Sequence, residues 1–120
     1  VIAARPRRQE KGVSYRQDLP RFKSAGFLRD HFRRHGPELR CPTATAYEAS
    51  AQGTIRNGIR FTFRDATTEK RRVGYYDLRT KRLTILDEAE QVIVSHFVRD
   101  EEYVRRLWES DYQRGRQPPQ

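Results

Sequence analysis

The sequence has one cysteine, and that scarcity excludes two classes at once: Cys41 has no partner for an internal disulfide and cannot build a cysteine-based zinc cluster. We expect it to be a small buried side chain. No apolar run approaches the roughly 20 residues that a membrane-spanning helix needs, so no transmembrane segment is expected. Methionine is absent altogether. The chain is therefore expected to begin inside a longer polypeptide or after processing, and no signal-like apolar region follows its start. Lysine is also scarce, supplying 4 of 25 cationic side chains against 21 from arginine, while acids number 16.

What is present follows from that imbalance. The net charge is +9 and the pI is near 10.3. A planar guanidinium suits phosphate and stacks on bases better than a lysine point charge, so the composition points to a polyanionic partner. Nucleic acid is favoured over an anionic membrane because no basic amphipathic helix of membrane type stands out. Length allows one domain with tails, and hydrophobic content of 35% with 11% aromatic is lean but sufficient for a modest core.

Residues 1–20 carry Arg5, Arg7, Arg8, Lys11 and Arg16 without a sustained period and read as a basic linker or arm. A first helix is predicted from about Phe22 or Ser24 to His35, with Ser24 as N-cap and Gly36-Pro37 as its stop. Thr43 caps a second, from Ala44 to about Arg56, that Asn57-Gly58 ends. The period then changes to two residues. Ile59 to Arg64, Arg72 to Leu78, Arg82 to Leu86 and Gln91 to Phe97 read as four strands, and their short connections imply an antiparallel meander. Asp100-Glu101-Glu102 opens a short last helix reaching about Tyr112, and residues 114–120 are a polar tail. The fold class is therefore α+β: two N-terminal helices packed on a four-stranded antiparallel sheet, with a C-terminal helix. On this reading the helices cover one face of the sheet and leave the other open. That open face would carry Arg60, Arg64, Arg72 and Arg82 with Tyr75 or Tyr76, offering charge and stacking surfaces to single-stranded nucleic acid.

The stretch Arg29-Asp30-His31-Phe32-Arg33-Arg34-His35-Gly36 concentrates the chemistry. His31 and His35 are one helical turn apart and fall within the apolar stripe of Phe27, Leu28 and Phe32. Arg33 and Arg34 flank them. The helix macrodipole is expected to raise the imidazole pKa in this last turn. A proton-transfer group beside fixed positive charge is what phosphodiester cleavage needs. The plainer reading is a core helix with two hydrogen-bonded histidines and a solvated basic face. On the fourth strand, Ser95 and Phe97 should point to one face and His96 to the other.

The order of these pieces, His-Phe-x-Arg-His-Gly at a helix end, Ala-Tyr-Glu in the second helix, an aromatic strand, Tyr-Tyr-Asp-Leu-Arg-Thr-Lys-Arg-Leu-Thr-Ile-Leu, then Gln-Val-Ile-Val-Ser-His-Phe, resembles the bacterial toxin ribonucleases of the barnase, EndoU, colicin E5/D and RelE-like fold. It is most similar to the colicin D-like tips of polymorphic and contact-dependent toxins. The resemblance covers about residues 24 to 108 and implies a nuclease-like domain over residues 21–113. Carried over by position, it implies His35 as acid or base, His31 as the earlier histidine of the pattern, Arg34 as phosphate partner, Ser95 as hydrogen-bond donor and Phe97 as the aromatic. An arginine stands beside the histidine where relatives have lysine. Arg33, Arg60, Arg72, Tyr75 and His96 complete the expected substrate-binding set.

What the resemblance implies is metal-independent RNA cleavage, without cofactor, in which the substrate's own 2′-hydroxyl attacks phosphorus; tRNA is the expected substrate class. It also implies a monomer delivered as the C-terminal part of a larger protein, acting in the target-cell cytoplasm and neutralised by an acidic immunity protein. Two other readings use the same features: an RNA-binding module without catalysis, and an interaction domain that docks an acidic protein. All three engage a polyanion. If six or more phosphates are contacted, RNA affinity should fall by about 10³-fold or more between roughly 50 and 200 mM salt. A flat salt titration in a filter-binding assay would remove the charged-groove reading.

Overall fold

A computed structural model describes residues 19–116, with side chains as far as Ser110. Residues 1–18 of the basic arm expected over 1–20, and residues 117–120 of the tail expected over 114–120, lie outside the described residues, while 114–116 belong to the last helix. Helix α1 spans Ala25–His35, and Ser24 caps it by accepting the Phe27 N–H at 3.1 Å. It ends at Gly36, where a Cβ would stand 2.6 Å from the Phe32 ring and the Phe32 carbonyl. Gly36 has an ordinary φ of −55°, so space rather than backbone freedom requires glycine there. A 3₁₀ turn, Pro37–Leu39, follows, then α2 over Ala44–Asn57 with Thr43 accepting the Ala46 N–H at 3.1 Å.

Four strands come next: β1 over Ile59–Arg64, β2 over Arg71–Asp77, β3 over Arg82–Asp87 and β4 over Val92–Val98. They form an antiparallel meander in chain order. The last helix, α3, covers Glu101–Arg116, four residues past its expected end. The α+β architecture read from the sequence is the one the chain adopts.

All three hairpins use the same turn. Each starts at an aspartate whose carbonyl accepts the N–H four residues on: Asp65 from Glu69 at 2.8 Å, Asp77 from Lys81 at 2.7 Å, Asp87 from Gln91 at 2.8 Å. The aspartate side chain satisfies further turn amides, as when Asp65 accepts the Thr67 N–H at 2.8 Å and Asp87 the Glu90 N–H at 2.8 Å. Glu69, Lys81 and Gln91 each take the left-handed conformation, with φ of 65°, 64° and 57°. The carboxylate bonds offset that backbone cost.

The sheet is covered on both faces, which corrects the expectation of one open face. Helix α2 packs across β2 and β3, and α1 lies against β4. On that side Tyr47, Ala51, Val73, Leu86 and Ile93 form a core with Phe22 and Leu39. On the other side α3 lays Tyr103, Val104 and Leu107 over Phe61, Phe63, Tyr76, Leu83, Ile85 and Phe97. The physical reason is that Phe61 and Phe63, opposite Gly74 and Arg72, form an aromatic ridge that water would not tolerate uncovered. Gly74 makes room for it, since a Cβ there would meet the Phe61 ring at 2.5 Å. The strand register also divides the expected basic face. Arg60 lies opposite Tyr75, while Arg72, one residue out of phase, points to the other side.

A chain of polar groups crosses the helix-covered core. Thr84 donates its hydroxyl to the Ala51 carbonyl at 3.1 Å, so its oxygen accepts from His96 Nδ1 at 2.9 Å. His96 Nε2 then accepts from the Ser50 hydroxyl at 2.9 Å, and Ser50 Oγ accepts from Arg82 Nη1 at 2.9 Å. Hydrogen-bond directions thus assign one neutral tautomer to His96. Burial, reinforced by the Arg82 charge, pushes its pKa down to about 3. Below the ordinary histidine value near 6.5 the unfolded chain takes up a proton that folded His96 refuses, so stability falls as pH drops from there toward about 3. Urea unfolding between pH 6 and 4 should show a slope approaching about 1.4 kcal/mol per pH unit from this group, and a smaller slope in His96→Gln. Equal slopes in the two proteins would refute the assignment.

Candidate functional site

The end of β4 and the end of α1 meet, and four of the expected residues come together there. His35 sets its ring against the edge of Phe97, with centroids 5.3 Å apart and planes at 83°. His31 lies one turn back, its centroid 6.2 Å from that of His35. Its Nδ1 donates to the Phe27 carbonyl at 3.0 Å, and Arg34 Nη2 approaches its Nε2 at 3.5 Å. His31 is buried against Phe22 and Phe27. It therefore serves as a neutral post that orients Arg34, and the plainer reading of a core histidine fits His31.

His35 is different. Its side chain keeps 17% exposure, while Nδ1 is enclosed without a hydrogen bond and faces the Glu38 carboxylate at 3.6 Å. Nε2 is then the nitrogen able to meet a substrate. Burial lowers the pKa of both histidines; Glu38 partly restores that of His35, and Arg34 and Arg99 lower it further. This reverses the expectation that the helix end would raise them. Desolvation outweighs the macrodipole, and neighbouring guanidinium groups add to it. A neutral imidazole at pH 7 is suited to accept a proton rather than give one.

Arg99 was not anticipated, although it lies two residues after Phe97. Its guanidinium rests 3.9 Å above the Phe97 ring and 5.2 Å from that of Tyr103, and donates to the Val98 carbonyl at 2.7 Å. Stacking holds the cation still at a gain of about 1 kcal/mol. Among the described residues neither Arg34 nor Arg99 has a carboxylate partner. Two guanidinium groups thus flank His35 with their charge uncompensated.

Phe97 also forms one wall of a cleft of about 960 Å³ between the sheet and α3. A bulge in β4, where Ile85 pairs with Ser95 but Leu86 with Ile93, adds Val94 as an extra residue and turns both Val94 and Ser95 toward this cleft. Ser95 is half-buried, and its hydroxyl makes no hydrogen bond among the described residues. It shares the Phe97 side of the strand, as expected, and His96 faces the helices.

The rest of the expected set lies apart. Arg72 reaches the cleft but is held by Asp87 at 3.0 Å and Asp65 at 3.6 Å, with side-chain exposure of 12% against 7% for Asp87. Arg33 is exposed and paired with Asp30 at 3.0 Å. Arg60 is exposed on β1, Tyr75 is half-buried against the helix-side core, and His96 is fully enclosed. The cleft rim mixes Lys23, Lys70 and Arg106 with Glu90 and Glu109, so it is not the uniformly basic surface that composition suggested. No group of three or more His, Cys, Asp or Glu side chains is placed to hold a metal among the described residues, and no helix there is long and apolar enough to cross a membrane. No protein-family model, curated protein or solved structure matches the chain.

The pairing of Arg72 makes it a structural residue first. Arg72→Ala leaves Asp87 buried without its cation and should cost about 3 to 5 kcal/mol of stability. Arg34→Ala, at an exposed position, should cost well under about 1 kcal/mol. Denaturant titration of the two variants checks this, and a mild Arg72→Ala would show that the ion pair matters less than its burial implies.

Proposed function

We propose that this chain is a ribonuclease domain of the toxin type, cleaving RNA without a metal ion. The observation that carries the reading is a partly exposed His35, held below its ordinary pKa by burial, flanked by Arg34 and Arg99 and braced by Phe97. In the reaction, His35 Nε2 takes the proton of the 2′-hydroxyl. The 2′-oxygen bonds to phosphorus, the bond to the 5′-oxygen breaks, and that oxygen leaves with a proton from water. The products are a 2′,3′-cyclic phosphate and a 5′-hydroxyl. Arg34 and Arg99 stabilise the charge that builds on the non-bridging oxygens. Ser95 donates to the phosphate or the adjoining sugar from the cleft side.

RNA is favoured over DNA because the nucleophile belongs to the substrate, and tRNA is the first class to assay. The surrounding biology proposed from the sequence resemblance is delivery as the C-terminal part of a larger protein, action in the target-cell cytoplasm, and control by an acidic immunity protein that binds the same arginines.

His35→Ala should reduce cleavage of a tRNA pool in EDTA by about 10²-fold or more with its melting temperature near that of the wild type. Ser95→Ala should lose less. Arg34→Ala should weaken both binding and turnover, because a cation at the phosphate acts in the ground state as well as the transition state. A well-folded His35→Ala protein that cuts at the wild-type rate would end the assignment. Retained RNA affinity without any cleavage by the wild type would leave the binding-module reading in its place.

A further inference from the structure

Glu38 carries a feature that the proposed reaction does not by itself require. The same oxygen, Oε2, accepts the backbone N–H of Val98 at 2.9 Å and faces His35 Nδ1 at 3.6 Å. The Val98 amide lies at the outer edge of β4 and cannot move without the strand. Glu38 comes from the 3₁₀ turn that Gly36 and Pro37 impose directly after α1. The carboxylate is therefore pinned at one end and aimed at the imidazole at the other, while Nδ1 is one of only two enclosed side-chain nitrogen or oxygen atoms without a hydrogen bond among the described residues.

We propose that Glu38 is the positioning residue of His35: it selects the tautomer with the proton on Nδ1, keeps the Nε2 lone pair toward the substrate, and closes on the ring when the ring becomes cationic. The distance of 3.6 Å is too long for a strong hydrogen bond in the free protein. It shortens when Nε2 takes a proton, because the attraction then becomes one between full charges, and catalytic hydrogen bonds commonly tighten at that stage. Every other charged or titratable group around the ring opposes or ignores this. Arg34 from α1 and Arg99 after β4 disfavour the cation, and His31 and His96 are neutral. Among the described residues Glu38 is the one neighbour that favours it. Without it, His35 would still be a base but a weaker one, in either tautomer.

The inference concerns His35 in the proposed ribonuclease, yet part of its test needs no activity. Glu38→Gln keeps an oxygen for the Val98 amide and removes the charge, so the strand edge stays satisfied. Titration of the histidine ring protons and nitrogens by NMR in the full chain should show the His35 pKa moving down in Glu38→Gln, the Nδ1-protonated tautomer losing population, and His31 barely changing. An unchanged or raised His35 pKa with an unchanged tautomer ratio overturns the proposal, whatever the enzyme does. On RNA, kcat should drop by about 10-fold or more with KM held, comparable to the loss when the carboxylate that orients a metal-bound histidine is removed. Glu38→Gln in a His35→Ala background should then cost nothing further. If the wild type cleaves RNA and Glu38→Gln cleaves equally well, the positioning role fails while the ribonuclease reading stands. If the wild type cleaves nothing, the ribonuclease reading fails and the titration alone decides whether Glu38 orients His35.

Discussion

The outer edge of β4 must be covered, and the way the chain covers it decides where everything else goes. An edge strand presents amides and carbonyls that would otherwise pair with another molecule or lie unsatisfied. Three contacts meet this need. The Ile93 N–H donates to the Arg21 carbonyl at 2.8 Å, the Tyr47 hydroxyl donates to the His96 carbonyl, and the Val98 N–H donates to Glu38. Glu48 and Gln52 on α2 hold the segment before α1 in reach, accepting the Phe22 N–H at 2.9 Å and donating to the Pro20 carbonyl at 3.0 Å. Helix α1 is thereby clamped alongside β4 at both ends. His35 reaches Phe97 because the helix that carries it is part of the edge seal.

The three histidines show how far placement overrides residue type. His96 sits in the core with both nitrogens satisfied and stays neutral well below the ordinary histidine range. His31 spends one nitrogen on its own helix backbone and presents the other to Arg34. Only His35 has an enclosed nitrogen that lacks a full hydrogen bond and a ring that still reaches the surface. A motif of two histidines one turn apart therefore does not mean two equivalent groups. The turn nearer the helix end is the one that clears the core, because the next residues peel away into the 3₁₀ turn.

Much of this was legible beforehand. Ser24, Thr43 and Gly36-Pro37 mark helix ends by local chemistry that does not depend on the rest of the fold, and the alternation in Ile59-Arg60-Phe61-Thr62-Phe63-Arg64 specifies a strand with one aromatic face. What stayed hidden depends on pairing between distant elements. Period two fixes faces within a strand, but which side Arg72 occupies relative to Arg60 depends on the register between β1 and β2, and that α3 returns to cover Phe61 and Phe63 depends on the whole fold. The aspartate at the start of every hairpin is visible as Asp65, Asp77 and Asp87, and its spacing of four to Glu69, Lys81 and Gln91 would have located the turns more sharply than composition did. The fall in the pKa of His35 was not legible, since the dipole is a property of one helix and desolvation a property of the assembled fold.

Net charge was the strongest signal in the sequence and is the one that structure most reduces. Arg21, Arg33, Arg72 and Arg105 answer Glu48, Asp30, Asp87 and Glu102, so their charge is spent within the fold or screened at its surface. An arginine with a carboxylate beside it must give up that partner before it can hold a phosphate, and the exchange returns little. Among the described residues Arg34 and Arg99 face no such exchange. Each is also oriented by a neighbour with no negative charge, a neutral imidazole for one and an aromatic face with a backbone carbonyl for the other. Orientation without neutralisation leaves the full electrostatic attraction to whatever anion arrives and removes part of the entropy cost of holding it. That condition, rather than the count of basic residues, marks the surface around His35, and among the described residues Arg82 meets it too, held by the Ser50 hydroxyl and the Leu39 carbonyl.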